Sequence, residues 1–417
     1  MAYHGHFRGD FGMETPVNKL ALLQRPMVRG TNQSGMRAHN ERLVLTILRR
    51  TGPLPKAQIA RMTGLSAQTV SVIMRALEAD GLLVRNAPVR GKVGQPSVPI
   101  GLAADGAFFF GLKVGRRSLQ LVLTDFLGDV LARVGTRHAY PTPDSVLRFA
   151  LAGMEEIMGQ VPQSHADRIS GLGIAIPFRM WDWIKSIGAP RADMDAWRVR
   201  DLRSELAERV DFPVYLQNDA SAACGAELVL GSAEVPPDFV HFFIGSFIGG
   251  GIVLNGSLFT GNTGNAGALG SMPVLCDSRK CTQLIDVASL ATLERMLAEN
   301  NEDAEALWTS PDAWAIDEII LQEWILLAAQ AIAVAIAATG SVLDIGAALI
   351  DGWMPASVRA RLVEEVRVAF SRIDTTGIQP PVIMAGTVGP DARALGGACL
   401  AMSERFLVDQ NALLAPL

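Results

Sequence analysis

Cysteine is scarce. Four residues (Cys224, Cys276, Cys281, Cys399) in a chain of 417 cannot staple a domain of this size, which excludes a disulfide scaffold and fits a reducing cytoplasm. The opening stretch, MAYHGHFRGD, lacks the apolar core of a secretory signal. Long apolar runs are missing too, with Ile319–Thr339 the nearest approach. That stretch is alanine-rich and carries Gln322, Glu323 and Gln330, so it reads as a buried helix rather than a membrane span. No short tandem repeat is visible. What is present is ordinary globular material: 49% hydrophobic and 19% charged residues, enough to pack two or three domains and too apolar for global disorder.

The net charge of −5 conceals an asymmetry. Residues 1–100 hold 14 Lys and Arg against 5 Asp and Glu, a net of +9, and the remainder carries −14. A basic head on an acidic body points to an anionic partner for the head, with nucleic acid the first candidate.

Residues 1–35 read as a basic arm, with one short helix around Val17–Leu23; His4 and His6 in it are read as inert. The head follows over 36–103. Val44, Ile47 and Leu48 form a helical face, Gly52-Pro53 breaks it, and a short helix starts at Lys56. Thr63-Gly64-Leu65 is a turn, and Ser66 is a good N-cap for a third helix. There Val70, Ile73, Met74 and Leu77 recur at helical spacing and face inward, leaving Gln68, Thr69, Ser71 and Arg75 outside. Leu82–Val84 and Val98/Ile100 read as strands of a hairpin whose tip, 90–96, is basic and glycine-rich. Helix, helix, turn, helix and hairpin make a winged helix-turn-helix. Its third helix meets base edges with Gln68 and Thr69, while Arg75 and the wing residues Arg90, Lys92 and Gln95 meet phosphates or a groove.

From about residue 104 to 417, short β runs alternate with helices, giving an α/β body with a mixed sheet; its strands include Phe108–Val114, Ile169–Ala175, Val214–Gln217, Phe239–Ile244 and Val382–Ala385, and its helices Ala288–Glu299 and Gly389–Arg405. Recurring glycine turns hint at two similar lobes.

The head motifs, from Asn40-Glu41-Arg42-Leu43-Val44-Leu45 through Thr63-Gly64-Leu65-Ser66-Ala67-Gln68-Thr69-Val70-Ser71 to Gly81-Leu82-Leu83 and Gly94-Gln95-Pro96, resemble those of ROK-family transcriptional regulators. The resemblance runs over residues 36–405. It implies an actin-like, ribonuclease-H-like body of two lobes, shared with sugar kinases. Two head positions depart: Pro55 stands where the family often caps its second helix with Ser, and Gln95 where its wing commonly has Arg. In the body, Asn218-Asp219-Ala220 matches the motif whose aspartate is the kinases' general base and whose asparagine binds sugar hydroxyls; capping by Asp219 is the competing structural role.

Other motifs have lost their chemistry. The family's Asp-x-Gly-Gly-Thr turn is here Lys113-Val114-Gly115-Arg116-Arg117, and a lysine cannot ligate magnesium. Gly245-Ser246-Phe247-Ile248-Gly249-Gly250-Gly251 is retained, but a glycine run alone does not make a nucleotide site. Ala268 and Ser271 stand where relatives have a sugar-binding glutamate and a histidine that binds sugar and zinc. Cys276 and Cys281 are what remains of the zinc cysteines, and they read as free thiols in a loop. Asp351 replaces a glycine of the family's adenosine site.

These features imply a DNA-binding regulator, a repressor of carbohydrate genes, whose body senses a sugar-like effector through Asn218, Asp219 and Ser271 without phosphorylating it. No catalytic residue, cofactor, metal or membrane is expected. The partners are double-stranded operator DNA, the effector and further copies of the chain in a dimer or tetramer, and the location is cytoplasmic. The alternative is an active ATP-dependent sugar kinase with a DNA-binding head.

Overall fold

The computed structural model describes residues 33–88, 98–183, 189–276 and 281–408. In the head, α1 (Gln33–Thr51), α2 (Lys56–Thr63) and α3 (Ala67–Ala79) precede the antiparallel pair β1 (Leu83–Arg85) and β2 (Ile100–Leu102). α1 starts ahead of the expected head boundary at 36. The Ser66 side chain accepts from the Thr69 N–H, and Val70, Ile73, Met74 and Leu77 are buried, as the periodicity required. Pro55 starts α2 with no side-chain cap, a position where its missing N–H costs nothing. The short helix expected near Val17–Leu23 and the wing tip lie outside the described residues.

The body holds two five-stranded sheets. The first contains β3 (Phe108–Val114), β4 (Ser118–Thr124), β5 (Val130–Arg137), β6 (Ile169–Ala175) and β7 (Val214–Gln217), with α4 (Pro143–Gln160) before β6 and α5 (Asp219–Leu230) after β7. The second contains β8 (Phe239–Ile244), β9 (Ile248–Leu254), β10 (Ser257–Phe259), β13 (Ala347–Gly352) and β14 (Val382–Ala385). A small hairpin, β11 (Pro273–Cys276) and β12 (Cys281–Gln283), stands apart. Helices α6 (Leu284–Ala288), α7 (Leu290–Glu299), α8 (Glu318–Leu343) and α9 (Ala356–Phe370) belong to the second lobe, and α10 (Ala392–Phe406) ends the described chain.

The sheet orders are β5-β4-β3-β6-β7 and β10-β9-β8-β13-β14. In each, three antiparallel strands are followed by two parallel additions. The two lobes therefore share one topology, which the recurring glycine turns foreshadowed.

α8 is the apolar stretch noted in the sequence. It is the one helix among the described residues long and apolar enough to span a bilayer. Trp324, Ala328, Ile332 and Ile336 along it are buried in the core of the second lobe.

The helix expected over Ala288–Glu299 runs from Leu290 to Glu299 as α7, and Ala288 instead ends the separate helix α6. Ser289 takes an extended conformation (φ −81°, ψ 152°). Its hydroxyl accepts from the Ile248 N–H at 3.0 Å and donates to the Ile285 carbonyl at 2.6 Å. A serine that satisfies a buried strand N–H beside the glycine run competes successfully with helix continuation. The expected helix Gly389–Arg405 likewise opens with a 3₁₀ turn, Gly389–Asp391, before α10.

α10 packs on β3, β4, β6, β7 and α5. The approach is backbone to backbone: a Cβ on Gly173 would overlap the Gly397 carbonyl oxygen, and one on Gly111 would overlap that of Ala394. These glycines serve close packing.

The head is seated on the body through a common core. Val44, Leu45 and Leu48 of α1 pack in one cluster with Phe109, Phe126, Ala398 and Met402. Arg49 donates to the carbonyls of Leu127 (2.8 Å) and Phe126, and its guanidinium lies 5.6 Å from the Phe126 ring centroid. Arg50 donates to the Gly256 carbonyl at 2.8 Å. Arg168 ties the end of α3 to the body, donating to the carbonyls of Asp80 (2.7 Å) and Gly106 (3.0 Å).

Candidate functional site

On the head, Gln68 and Arg75 are exposed, and Thr69 and Ser71 are half-buried. The Thr69 hydroxyl lies 2.8 Å from that of Ser66, and Arg75 Nε donates to the Ser71 carbonyl at 3.2 Å. Val72 is 46% exposed. Gln68, Val72 and Arg75 fall at i, i+4 and i+7, so they share one outer face. Sequence reading missed Val72 because valine is ordinarily counted as core; the spacing could have found it. The wing candidates Arg90, Lys92 and Gln95 lie outside the described residues.

In the body, Asn218, Asp219 and Ser271 come together around a chamber of about 200 Å³ between the lobes. The cap of α5 is Asn218, not Asp219 as weighed in the sequence. The Asn218 side-chain oxygen accepts from the N–H groups of Ala220 (3.1 Å) and Ser221 (3.3 Å). Asp219 is already inside the helix, which leaves its carboxylate for other work; it faces Arg393 Nη1 at 3.3 Å. Arg393 also lies over the Phe243 ring at 4.9 Å. The chamber is further lined by Arg116, Arg179, Asn265 and Ala268.

A larger cavity of about 550 Å³ adjoins it, sharing Arg116, Ser246 and Arg393. Here the altered glycine turn is found. Lys113 is buried, and its amine donates to Ser118 Oγ at 2.9 Å and lies 5.6 Å from the Trp353 ring centroid. Burial, reinforced by the nearby Arg393 charge, pulls its pKa down from 10.5 to about 7. Arg116 stacks over Phe247 at 5.2 Å and Arg117 over Trp308 at 4.6 Å, with Arg117 also paired to Glu294. Arg133 pairs with Asp391 at 2.8 Å and Arg137 with Glu305 at 2.8 Å. The contacts of Lys113 with Trp353, of Arg116 with Phe247, of Arg117 with Trp308 and Glu294 and of Arg137 with Glu305 reach from the first lobe to the second, so cation–acid and cation–π contacts cross the cleft where a magnesium-binding acid would stand.

A buried lysine makes a testable pH dependence. Between about pH 7 and 10.5 the unfolded chain holds a proton on Lys113 that the folded chain has released, so stability rises with pH in that window. Lys113→Met removes the burden of burying the charge. Its melting-temperature gain over the parent is expected to be largest at neutral pH and below, and to shrink as the pH climbs toward 10.5. A pH-independent gain would contradict this account.

Cys276 and Cys281 are not loop residues: they face each other in register across β11 and β12, and Cys281 is disulfide-bonded rather than a free thiol. Cys224 and Cys399 are buried thiols, pushed up in pKa by burial. Val274, in the first position of the resembled cysteine motif, is buried as a hydrophobe. Among the described residues, metal-ligand atoms gather at Glu227, His241 and Asp351, within 4.8 Å of one another. Both carboxylates are already engaged. Glu227 accepts from Thr387 and Val388, and Asp351 from Gly352, Gly389 and Arg359. Asp351 therefore anchors the loop ahead of α10 instead of opening an adenosine pocket.

Two lobes of one topology closing on a glycine-lined chamber, with an Asn-Asp pair at a helix start, define a sugar-kinase-like body, here fused to a winged helix-turn-helix. Residues 109–404 match the model of the ROK family, and residues 37–84 match that of winged helix-turn-helix DNA-binding domains. The chain belongs to the ROK family. It is 25% identical over 251 residues to the xylose repressor of Bacillus subtilis (strain 168), a match spanning 60% of this chain and 64% of the repressor. Among solved structures, a ROK family transcriptional regulator, a homolog of the E. coli MLC protein, superposes with a TM-score of 0.65 at 19% identity, covering 89% of this chain and 97% of that one. A ROK family glucokinase from Streptomyces griseus, in complex with glucose and AMPPNP, gives 0.54 at 21% identity, with 70% and 99% covered. At these identities the structural likenesses establish the shared fold alone.

Proposed function

We propose that this protein is a cytoplasmic transcription repressor that binds operator DNA through its head and a small carbohydrate through its body, without phosphoryl transfer. The observation that carries the reading is Lys113, a buried lysine on the strand where a kinase of this fold needs an acid for magnesium, its amine donating to Ser118. The B. subtilis relative, itself called a xylose repressor, supports the same class of function. Gln68, Thr69 and Val72 meet the major groove and Arg75 the phosphate backbone; Arg90, Lys92 and Gln95 on the wing meet the flanking backbone or minor groove. Two copies place two recognition helices on a palindromic site. Carbohydrate bound at Asn218, Asp219 and Ser271 alters operator affinity by its differential affinity for the two arrangements of the heads.

Footprinting on the DNA upstream of the protein's own gene and its neighbours tests the head. Gln68→Ala is expected to lose about 1–3 kcal/mol of operator binding and to relax preference at one base pair. Arg75→Ala is expected to weaken all sequences alike and to flatten the salt dependence. A coupled assay over a panel of sugars tests the body: ATP-dependent turnover that Asp219→Asn abolishes would establish a kinase and overturn the proposal.

A further inference from the structure

Glu227 on α5, His241 on β8 and Asp351 on β13 bring ligand atoms within 4.8 Å of one another. Along β8, Val240, Phe242 and Ile244 pack in the core that holds α8, while Phe239 and Phe243 pack with Ala223, Cys224 and Ala226 of α5. His241 falls on the second face by alternation, and none of the three residues is more than 3% exposed. An unpaired polar group is costly in such a place, yet both ring nitrogens of His241 are buried without a hydrogen-bond partner among the described residues. Burial lowers the pKa of His241 against the pull of Asp351 and Glu227, so the ring is neutral, the form that binds a metal. Arg359 pairs with Asp351, whereas the bonds to Glu227 come from the Thr387 and Val388 N–H groups and the Thr387 hydroxyl, all neutral. Each carboxylate accepts from three donor groups. An ionised carboxylate offers about four acceptor sites, so each keeps one for a further ligand. The existing bonds fix its direction, as outer-shell partners do at metal centres.

We propose that Glu227, His241 and Asp351 hold a structural transition-metal dication, of the class of zinc, between α5 and the second sheet. One imidazole nitrogen with two carboxylate oxygens is a borderline donor set: the imidazole disfavours calcium and magnesium, and a set without thiolate disfavours Cu(I). Metal–ligand distances of about 2.0–2.2 Å bring ligand atoms to about 4.4 Å apart or less, so the three side chains need close by only a few tenths of an ångström. The ion ties α5, which follows the first sheet, to β8 and β13 of the second. Through Thr387, Val388 and Gly389 it also braces the loop ahead of α10, the helix on which the head is seated. Cys276 and Cys281, on their separate hairpin, take no part.

Metal analysis of the full chain, stripped with a chelator and titrated with Zn2+ or Co2+, tests this. One equivalent is expected to bind and to raise the melting temperature. With cobalt it is expected to give visible d–d bands and no near-ultraviolet thiolate charge-transfer band. His241→Leu fills the space without a ligand atom and is expected to weaken that equivalent at least a hundredfold in a chain that still folds. His241→Cys restores a ligand and is expected to recover binding, now with the thiolate band. Cys276→Ser combined with Cys281→Ser is expected to leave binding unchanged. No bound equivalent in the parent, or one that survives His241→Leu, overturns the inference and leaves His241 a neutral core residue. Loss of binding in the double cysteine variant overturns it in favour of a site on the hairpin. If His241→Leu does not fold, the cobalt spectrum of His241→Cys decides, and a spectrum without the thiolate band overturns the inference.

Discussion

Chains carrying Gly397→Val or Gly173→Val are expected to yield no soluble folded protein. Each glycine faces the other across the contact of α10 with β6, and a Cβ on either would meet the partner's carbonyl oxygen at overlapping distance. The obstacle is main chain on both sides. It cannot swing away as a side-chain tip can, so the helix must lift off the sheet. α10 touches four strands of the first sheet as well as α5 and the head, so lifting it opens several cores together. Overpacking of this kind costs more than the usual 1–3 kcal/mol, and a loss beyond about 5 kcal/mol is comparable to the whole stability of a domain. Gly159→Ala is the matched control. Gly159 sits near the end of α4, and a Cβ there would meet nothing within 4 Å, so the change is expected to be neutral or stabilising by up to about 1 kcal/mol. Soluble yield and urea denaturation of the three chains decide the matter; well-folded Gly397→Val protein would show that the helix–sheet contact is looser than described.

The second large effect is expected at Arg49. Its guanidinium supplies donors to two carbonyls of the β4–β5 turn and stacks on Phe126. Burial lowers its pKa, yet arginine stays charged and needs those carbonyls. Arg49→Leu keeps the apolar stem and removes the donors, leaving the part-buried Phe126 carbonyl unpaired at about 1–3 kcal/mol and losing the stacking on its ring, while the exposed Leu127 carbonyl turns to water. The expected result is a loss of about 2–4 kcal/mol confined to the seat of the head. Melting should split into two transitions, and limited proteolysis should cut between head and body before the body itself. Arg75→Ala, exposed on α3, should leave melting unchanged while weakening DNA binding. A single unshifted transition in Arg49→Leu would mean that the hydrophobic part of the seat suffices.

Most secondary structure was legible because its periodicity is local. Strands Phe108–Val114, Ile169–Ala175, Val214–Gln217, Phe239–Ile244 and Val382–Ala385 stand where their apolar runs place them. The face of α3 likewise followed from four residues. What escaped was decided by distant partners. Nothing near Arg49 signals that it reaches Phe126, 77 residues away. Ser289 delays the start of α7 and separates it from α6 while bonding Ile248 on another strand. Asn218 and Asp219 are both competent caps, and the choice between them depends on where β7 ends and which side chain turns back on α5. Lys113, Arg116 and Arg117 stand in one motif, but Arg179 and Arg393 join them around the cleft only through the fold.

The order in which the chain is made gives the position of α10 a further meaning. The helix that joins the first sheet, α5 and the head is the last element of the described chain, and Val408 just beyond it donates to Thr46 in α1. During synthesis Met402, which completes the seat of the head, follows Arg49 by 353 residues. A chain that stops short of α10 would carry the recognition helix on an incomplete seat. Only a chain that includes α10 closes that seat, so products lacking it would be poor competitors for a paired operator.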